Sequence, residues 1–277
     1  MPATAIVTDS TSDIPVEEAE ALGIEVVPAL VTVEGQSYVD GRGLSRPEFY
    51  RRLPFLREPA TTAAPSPQVF EMAYEKVMAA GAERVLSMHV SSKLSGLIDV
   101  ARIAAASFGD RVHVFDSLQV SLALGFQAME AAAAALAGAS FDAILQVAQR
   151  ARARVRIVAM IDTLEYLKRS GRVSWIRAGL GDLLSVKLMV RVADGVVQRI
   201  GEVRTKHKAL DQLVAMAQSW GPQERLAILH SAVPEEAAAL AQRLRDLSAR
   251  VPLIVDVTTV IGTHVGPGSL GLAALSR

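Results

Sequence analysis

The sequence predicts an α/β protein of two domains: an N-terminal parallel-sheet domain over residues 1–158 and a C-terminal mixed-sheet domain over residues 159–277. Three observations carry that prediction. Short β-branched runs alternate with helical patterns through the first half, the mark of right-handed βαβ units. Past about residue 160 two apolar runs flank Asp194-Gly195, a type I′ hairpin signal, so antiparallel strands join the sheet there. Hydrophobic residues make up 51% of 277, enough for one large core or two smaller ones.

The elements follow in order. Ala5-Ile6-Val7-Thr8 reads as a strand. The helix after it opens near Pro15 and stops at Gly23, the usual placement of Pro and Gly at helix ends. Arg84 to Met88 is a second strand, followed by a helix from about Ser95 to Ala106. Arg111 to Phe115 is a third, followed by an alanine-rich helix, and Val155 to Val158 is a fourth. Val186 to Val192 and Val196 to Ile200 form the hairpin. A helix near Lys208 to Gln218, a strand Leu226 to Leu229, a helix Pro234 to Leu247 and a strand Leu253 to Val255 complete the chain.

Composition excludes several functions. With no cysteine there is no disulfide framework, thiolate nucleophile or Cys-ligated zinc. The 29 Lys+Arg balance 29 Asp+Glu, and aromatics are 5%, which speaks against nucleic acid as a partner. Charge is uneven: residues 1–80 hold 12 acids and 6 bases, residues 150–208 hold 14 bases and 5 acids. The basic stretch reads either as solvated helix faces or as a docking surface for an acidic partner or an anion. No basic leader and no run of ~20 apolar residues is present, so the expectation is a soluble cytoplasmic protein without a membrane segment.

Two glycine-bearing segments are read as preceding helices: Ser91 to Gly96 and Gly262 to Ser269. A helix N-terminus exposes unpaired N–H groups, and glycine lets an anion approach them. Ser95 and Ser269 fit equally as plain N-caps. Gly266 to Gly271 matches G-x-G-x-x-G, but the chain lacks the downstream βαβ unit and acid of a dinucleotide site. There is no P-loop and no G-x-S-x-G elbow. None of the five histidines has metal-ligand spacing, so no metal is expected. His264, between two glycines, either reaches a bound anion or bonds backbone. Asp9-Ser10 and Asp116-Ser117 end strands, where they cap the next turn or face a cleft. Arg172 presents a fork suited to carboxylate or phosphate, or is simply solvated.

Several segments, in order along the chain, resemble the DegV family. They are Ile6 to Pro15, Tyr38-Val39-Asp40-Gly41, Thr62 to Pro67, Ser91-Ser92-Lys93-Leu94-Ser95-Gly96, Asp116-Ser117, Leu164 to Ser174 and Gly262-Thr263-His264-Val265-Gly266-Pro267-Gly268. The resemblance implies a two-domain carrier of one long-chain fatty acid, held between or within its domains. It implies the fatty-acid-binding subunit of a bacterial fatty acid kinase, in which a separate kinase phosphorylates the bound carboxylate for phospholipid synthesis. It implies that Thr62, Ser95 and His264 hold the carboxylate with the Gly96 amide, and that Arg172 lies near the headgroup. No cofactor and no catalytic residue are then expected in this chain. A buried C16 chain would contribute on the order of 10 kcal/mol before entropic costs. Two departures stand out: Leu97-Ile98-Asp99-Val100 replaces the family's T-Y-Q-S, and Thr62-Ala63-Ala64 replaces T-S-Q. The alternative is a lipid-acting enzyme, either a hydrolase built on Ser95, His264 and an aspartate or a small-molecule kinase.

Overall fold

A computed structural model describes residues 2–172 and 186–277. The chain runs β1 (Thr4–Asp9), α1 (Val16–Ala21), β2 (Ile24–Val27), β3 (Leu30–Val33), β4 (Gln36–Val39), α2 (Arg46–Arg52), β5 (Thr61–Ala63) and α3 (Pro67–Ala79). It continues β6 (Arg84–His89), α4 (Leu97–Ala105), β7 (Val112–Asp116), α5 (Leu122–Leu136), α6 (Phe141–Arg154), β8 (Val155–Ile161) and α7 (Glu165–Arg169). The remainder is β9 (Lys187–Ala193), β10 (Val196–Val203), α8 (Lys206–Ser219), β11 (Gln223–His230), α9 (Pro234–Leu244), β12 (Leu253–Asp256), α10 (Thr259–Val265) and β13 (Leu270–Ser276).

Two compact units result, and the expected split at 158/159 is not how they divide. One unit joins residues 1–29 to 63–155; the other joins 30–62 to 156–277. Only Pro28 and Ala29 separate β2 from β3, so nothing in the sequence pattern marks the crossing.

The first unit is a parallel sheet in the order β2-β1-β6-β7; the parallel pairing is as the alternating pattern predicts, but the fourth member is β2, not Val155 to Val158, which lies in β8 of the mixed sheet and pairs antiparallel with β9. β1 is buried along its whole length, which a two-sided parallel strand requires. α5 is apolar on nearly every side and is buried accordingly, at each residue from Leu122 to Met129 and again at Ala131 and Ala132. A Cβ on Gly125 would stand 2.7 Å from the Ser12 carbonyl oxygen, so glycine lets α5 pack against the turn that follows β1.

The second unit carries the mixed sheet, ordered β10-β9-β8-β13-β11-β12. β8, β9 and β10 are antiparallel neighbours, and the β9–β10 turn is Asp194-Gly195 with φ of 52° and 79°, the positive pair a type I′ turn needs. β11 runs parallel to β12 and antiparallel to β13. Met160, Met189, Leu213, Leu226, Ile228 and Leu240 pack one core face of this sheet. A small sheet, β4-β3-β5, belongs to the same unit up to Thr62 of β5.

One expectation is corrected. Gly262 to Ser269 does not precede a helix: Gly262 to Val265 lie inside α10, and Gly266 to Ser269 lead into β13. The Leu270-Gly271-Leu272-Ala273-Ala274-Leu275 run is buried on both faces, so it shows no alternation to betray a strand.

Candidate functional site

In the second unit the site is built around α10. Its flanking glycines have a packing cause. A Cβ on Gly262 would meet the Tyr50 hydroxyl at 2.5 Å, and one on Gly266, whose φ is +69°, would run into the Tyr166 ring. Two tyrosines thus brace the helix on either side of His264. Tyr50 also donates its hydroxyl to Val257 O at 3.0 Å, and Arg46 bonds Asp256 O. Thr259 Oγ1 donates to buried Asp40 Oδ1 at 2.7 Å. These bonds fasten α2 and the β4 end onto the approach to α10.

His264 is 8% exposed, in the last turn of α10. Its Nε2 lies 3.2 Å from Thr62 Oγ1 on β5. Burial, helped by the nearby Arg172 guanidinium, lowers its pKa to about 4. The ring is therefore neutral at pH 7, able to donate from one nitrogen and accept at the other. Arg172 Nη1 donates to Ser170 O at 3.0 Å, which anchors the guanidinium at the end of α7. Thr62, His264 and Arg172 are thus brought together within one unit. Val173 and Ser174, also part of the segment singled out from sequence, lie outside the described residues.

Ser95 and Gly96 sit together in the first unit, at the start of α4. Ser91 O accepts Leu94 N at 2.9 Å and Ser95 N at 3.1 Å, which closes the turn. Ser95 Oγ accepts Leu97 N at 3.2 Å, as an N-terminal cap does, and the hydroxyl proton can still donate outward. Gly96 has an ordinary φ of −75°, and a Cβ there would meet nothing within 4 Å. Neither backbone conformation nor packing calls for glycine at that position.

A model of the family described as "Uncharacterised protein, DegV family" matches residues 3–277. The chain belongs to the DegV family. It is 37% identical over 280 residues to a DegV domain-containing protein of Streptomyces coelicolor, covering 99% of this chain and 98% of that one. It is 38% identical over 273 residues to one of Deinococcus radiodurans, with 97% of each covered. Among solved structures, a fatty-acid-binding DegV family protein from Thermus thermophilus superposes with a TM-score of 0.90 at 32% identity, covering 100% of both chains. DegV of Bacillus subtilis, a fatty acid binding protein, gives 0.88 at 31%, again over 100% of both.

The DegV motifs acquire physical content from the geometry. The two outer glycines of G-x-H-x-G seat Tyr50 and Tyr166. The aspartate of Y-x-D-G holds Thr259. Ser269 is not an N-cap: its Oγ accepts Asp162 N at 3.2 Å and donates to Val265 O at 3.1 Å. Asp116 caps its turn through Leu118 N at 2.9 Å. In the departing quartet Leu97 and Ile98 are core residues, while Asp99 points to solvent and pairs with Arg102 at 2.8 Å. Sequence reasoning missed Tyr50 and took Tyr166 only as part of the Leu164 to Ser174 segment, with no role of its own; the glycines flanking His264 were the available signal. It read Asp9 as a cap or as facing a cleft; Asp9 is a fully buried cap, and it also ends a buried network reaching His89.

Proposed function

We propose that this DegV protein binds one long-chain fatty acid and offers its carboxylate to a separate kinase, which transfers a phosphoryl group to it. In the second unit, the Thr62–His264 pair spends one of its two protons on the bond between them and offers the other to a carboxylate oxygen, and Arg172 supplies the positive charge. In the first unit, the Ser95 hydroxyl and the Gly96 amide are the carboxylate-directed groups. The observation that carries this reading is the buried, uncharged His264 held on Thr62 beside Arg172: the one donor the pair leaves over and a cation suit a carboxylate. The glycine at 96, which the fold itself does not require, adds support from the first unit. So do the relatives from Thermus thermophilus and Bacillus subtilis, each a fatty-acid-binding protein.

The reading assigns no bond-making step to this chain. The kinase brings the nucleotide; attack by the carboxylate oxygen on its terminal phosphorus gives acyl phosphate and releases the nucleoside diphosphate. The chain's own contribution is to bury the acyl tail and leave the carboxylate presentable.

Native mass spectrometry of the purified protein, followed by solvent extraction, is the test. One fatty acid per chain is expected, with occupancy reduced in Ser95→Ala and in His264→Ala while both keep wild-type circular dichroism. An empty protein that also fails to take up added palmitate rejects the reading. Full occupancy in both variants rejects the residue assignment while leaving the ligand in place.

A further inference from the structure

Behind the Ser91 to Gly96 turn lies a buried chain of hydrogen bonds with no role in the function proposed so far. Tyr74, Ser87, His89 and Asp9 are each 0% exposed. The Tyr74 hydroxyl is 2.9 Å from Ser87 Oγ, Ser87 Oγ is 2.7 Å from His89 Nε2, and His89 Nδ1 is 3.0 Å from Asp9 Oδ2. One arrangement of protons satisfies all three contacts. Tyr74 donates to Ser87, Ser87 donates to Nε2, and the Nδ1 proton goes to Asp9. Burial pushes the Tyr74 pKa up to about 12, which keeps its phenol a donor. The connectivity is that of a hydrolytic triad, but a fully buried Ser87 Oγ meets no substrate.

What the chain does is mechanical. Asp9 Oδ2 also accepts Val90 N at 3.1 Å, while Oδ1 accepts Thr11 N at 3.0 Å and the Thr11 hydroxyl. One carboxylate with four donors therefore ties the end of β1 to the end of β6. Val90 leads directly into the turn. Ser91 N is fixed on Gln119 O at 2.9 Å, and Ser91 O then sets the Leu94 and Ser95 amides. Two residues and their hydrogen bonds separate the buried carboxylate from Ser95.

We propose that Asp9 and His89 are positioning residues for the fatty-acid site: they fix Val90, and through it place the Ser95 hydroxyl and Gly96 amide for the ligand carboxylate. The inference rests on the fatty-acid reading. The competing account is that the network only fills the core.

The test titrates delipidated full-length protein with palmitate by calorimetry. It also records the ligand-free amide ¹H–¹⁵N shifts of residues 91–96. Asp9→Asn keeps the shape but turns one acceptor into a donor. His89→Leu removes both ring nitrogens, and His89→Asn restores a donor toward Asp9. Val77→Ala, a buried position of α3, removes stability alone. Asp9→Asn and His89→Leu are expected to weaken palmitate binding roughly tenfold or more and to move the Ser95 and Gly96 amide signals. His89→Asn recovers most of the affinity, and Val77→Ala lowers Tm with affinity and shifts unchanged. Wild-type affinity and shifts in a folded Asp9→Asn overturn the proposal, as does an equal loss of affinity in Val77→Ala. If His89→Leu does not fold, Asp9→Asn carries the test. A wild-type protein that takes no palmitate rejects the fatty-acid reading instead, and the ligand-free shifts alone then decide the positioning role.

Discussion

His264 stays uncharged in the folded chain because burial removes the water that would solvate an imidazolium, and Arg172 adds repulsion. That makes its protonation a stability term with a defined sign. Its folded pKa is depressed to about 4 from the ordinary 6.5. Between those values the unfolded chain holds a proton that the folded chain does not, so stability falls as pH drops from 6.5 to about 4 and levels off below. The slope approaches about 1.4 kcal/mol per pH unit, and the whole window is worth about 3 kcal/mol. Urea unfolding of ligand-free wild type and His264→Gln across this range is the measurement. Other titrating groups act on both proteins, so the difference between the curves reads His264. It should open by about 3 kcal/mol toward pH 4 in favour of the variant; parallel curves would show that His264 titrates as in water. A bound carboxylate favours the imidazolium, so the fatty-acid complex should show a flatter profile than the free protein.

At the scale of the element, α4 packs one side into the core and directly follows Ser95 and Gly96, the proposed carboxylate ligands. Ser95 and Gly96 lie just ahead of its first turn, while Leu97, Ile98, Ala101, Ala104 and Ala105 face inward. Asp99 and Arg102 form an exposed pair whose side chains are 63% and 50% accessible. The two sides of the helix should therefore answer differently to truncation. Ile98→Ala leaves a cavity and is expected to cost about 2–5 kcal/mol in urea unfolding. Asp99→Ala removes a solvated pair and should shift stability by about 0.5 kcal/mol or less. A comparable loss at both positions would mean that Asp99 has a structural task beyond Arg102. This helix, the parallel strands β1, β6 and β7 and the Asp194-Gly195 hairpin were legible in the sequence, because period, caps and turn residues are local signals; the short edge strand β2 was not. β13 was not, since a strand buried on both faces loses its alternation, and neither was α10, whose seven residues are half glycine-flanked motif. The site was legible only as motif. That Gly262 and Gly266 exist to admit Tyr50 and Tyr166 depends on contacts across 212 and 100 residues of sequence, which no local pattern encodes.

At the scale of the whole molecule, the second unit is assembled from two distant stretches of chain, and this decides what can fold alone. Residues 30–62 give it β3, β4 and α2, with Val31, Val33, Leu44, Phe49, Tyr50 and Leu53 all buried. α10 packs against both α2 and β3. Each such side chain contributes about 1.5–3 kcal/mol when fully buried, so the stretch supplies on the order of 10 kcal/mol. That is comparable with the entire stability of an ordinary domain, about 5–15 kcal/mol. A fragment of residues 156–277 keeps its six-stranded sheet but loses this layer, together with the Tyr50, Arg46 and Asp40 bonds that fasten the approach to α10. It should unfold in a broad, shallow urea transition and expose apolar surface to a hydrophobic dye, where the full chain unfolds sharply. A fragment with a steep transition and no dye binding would mean that the mixed sheet is self-sufficient. Residues 30–62 would then serve the ligand site by carrying Thr62 to His264, and the hydrophobic layer would be incidental to stability.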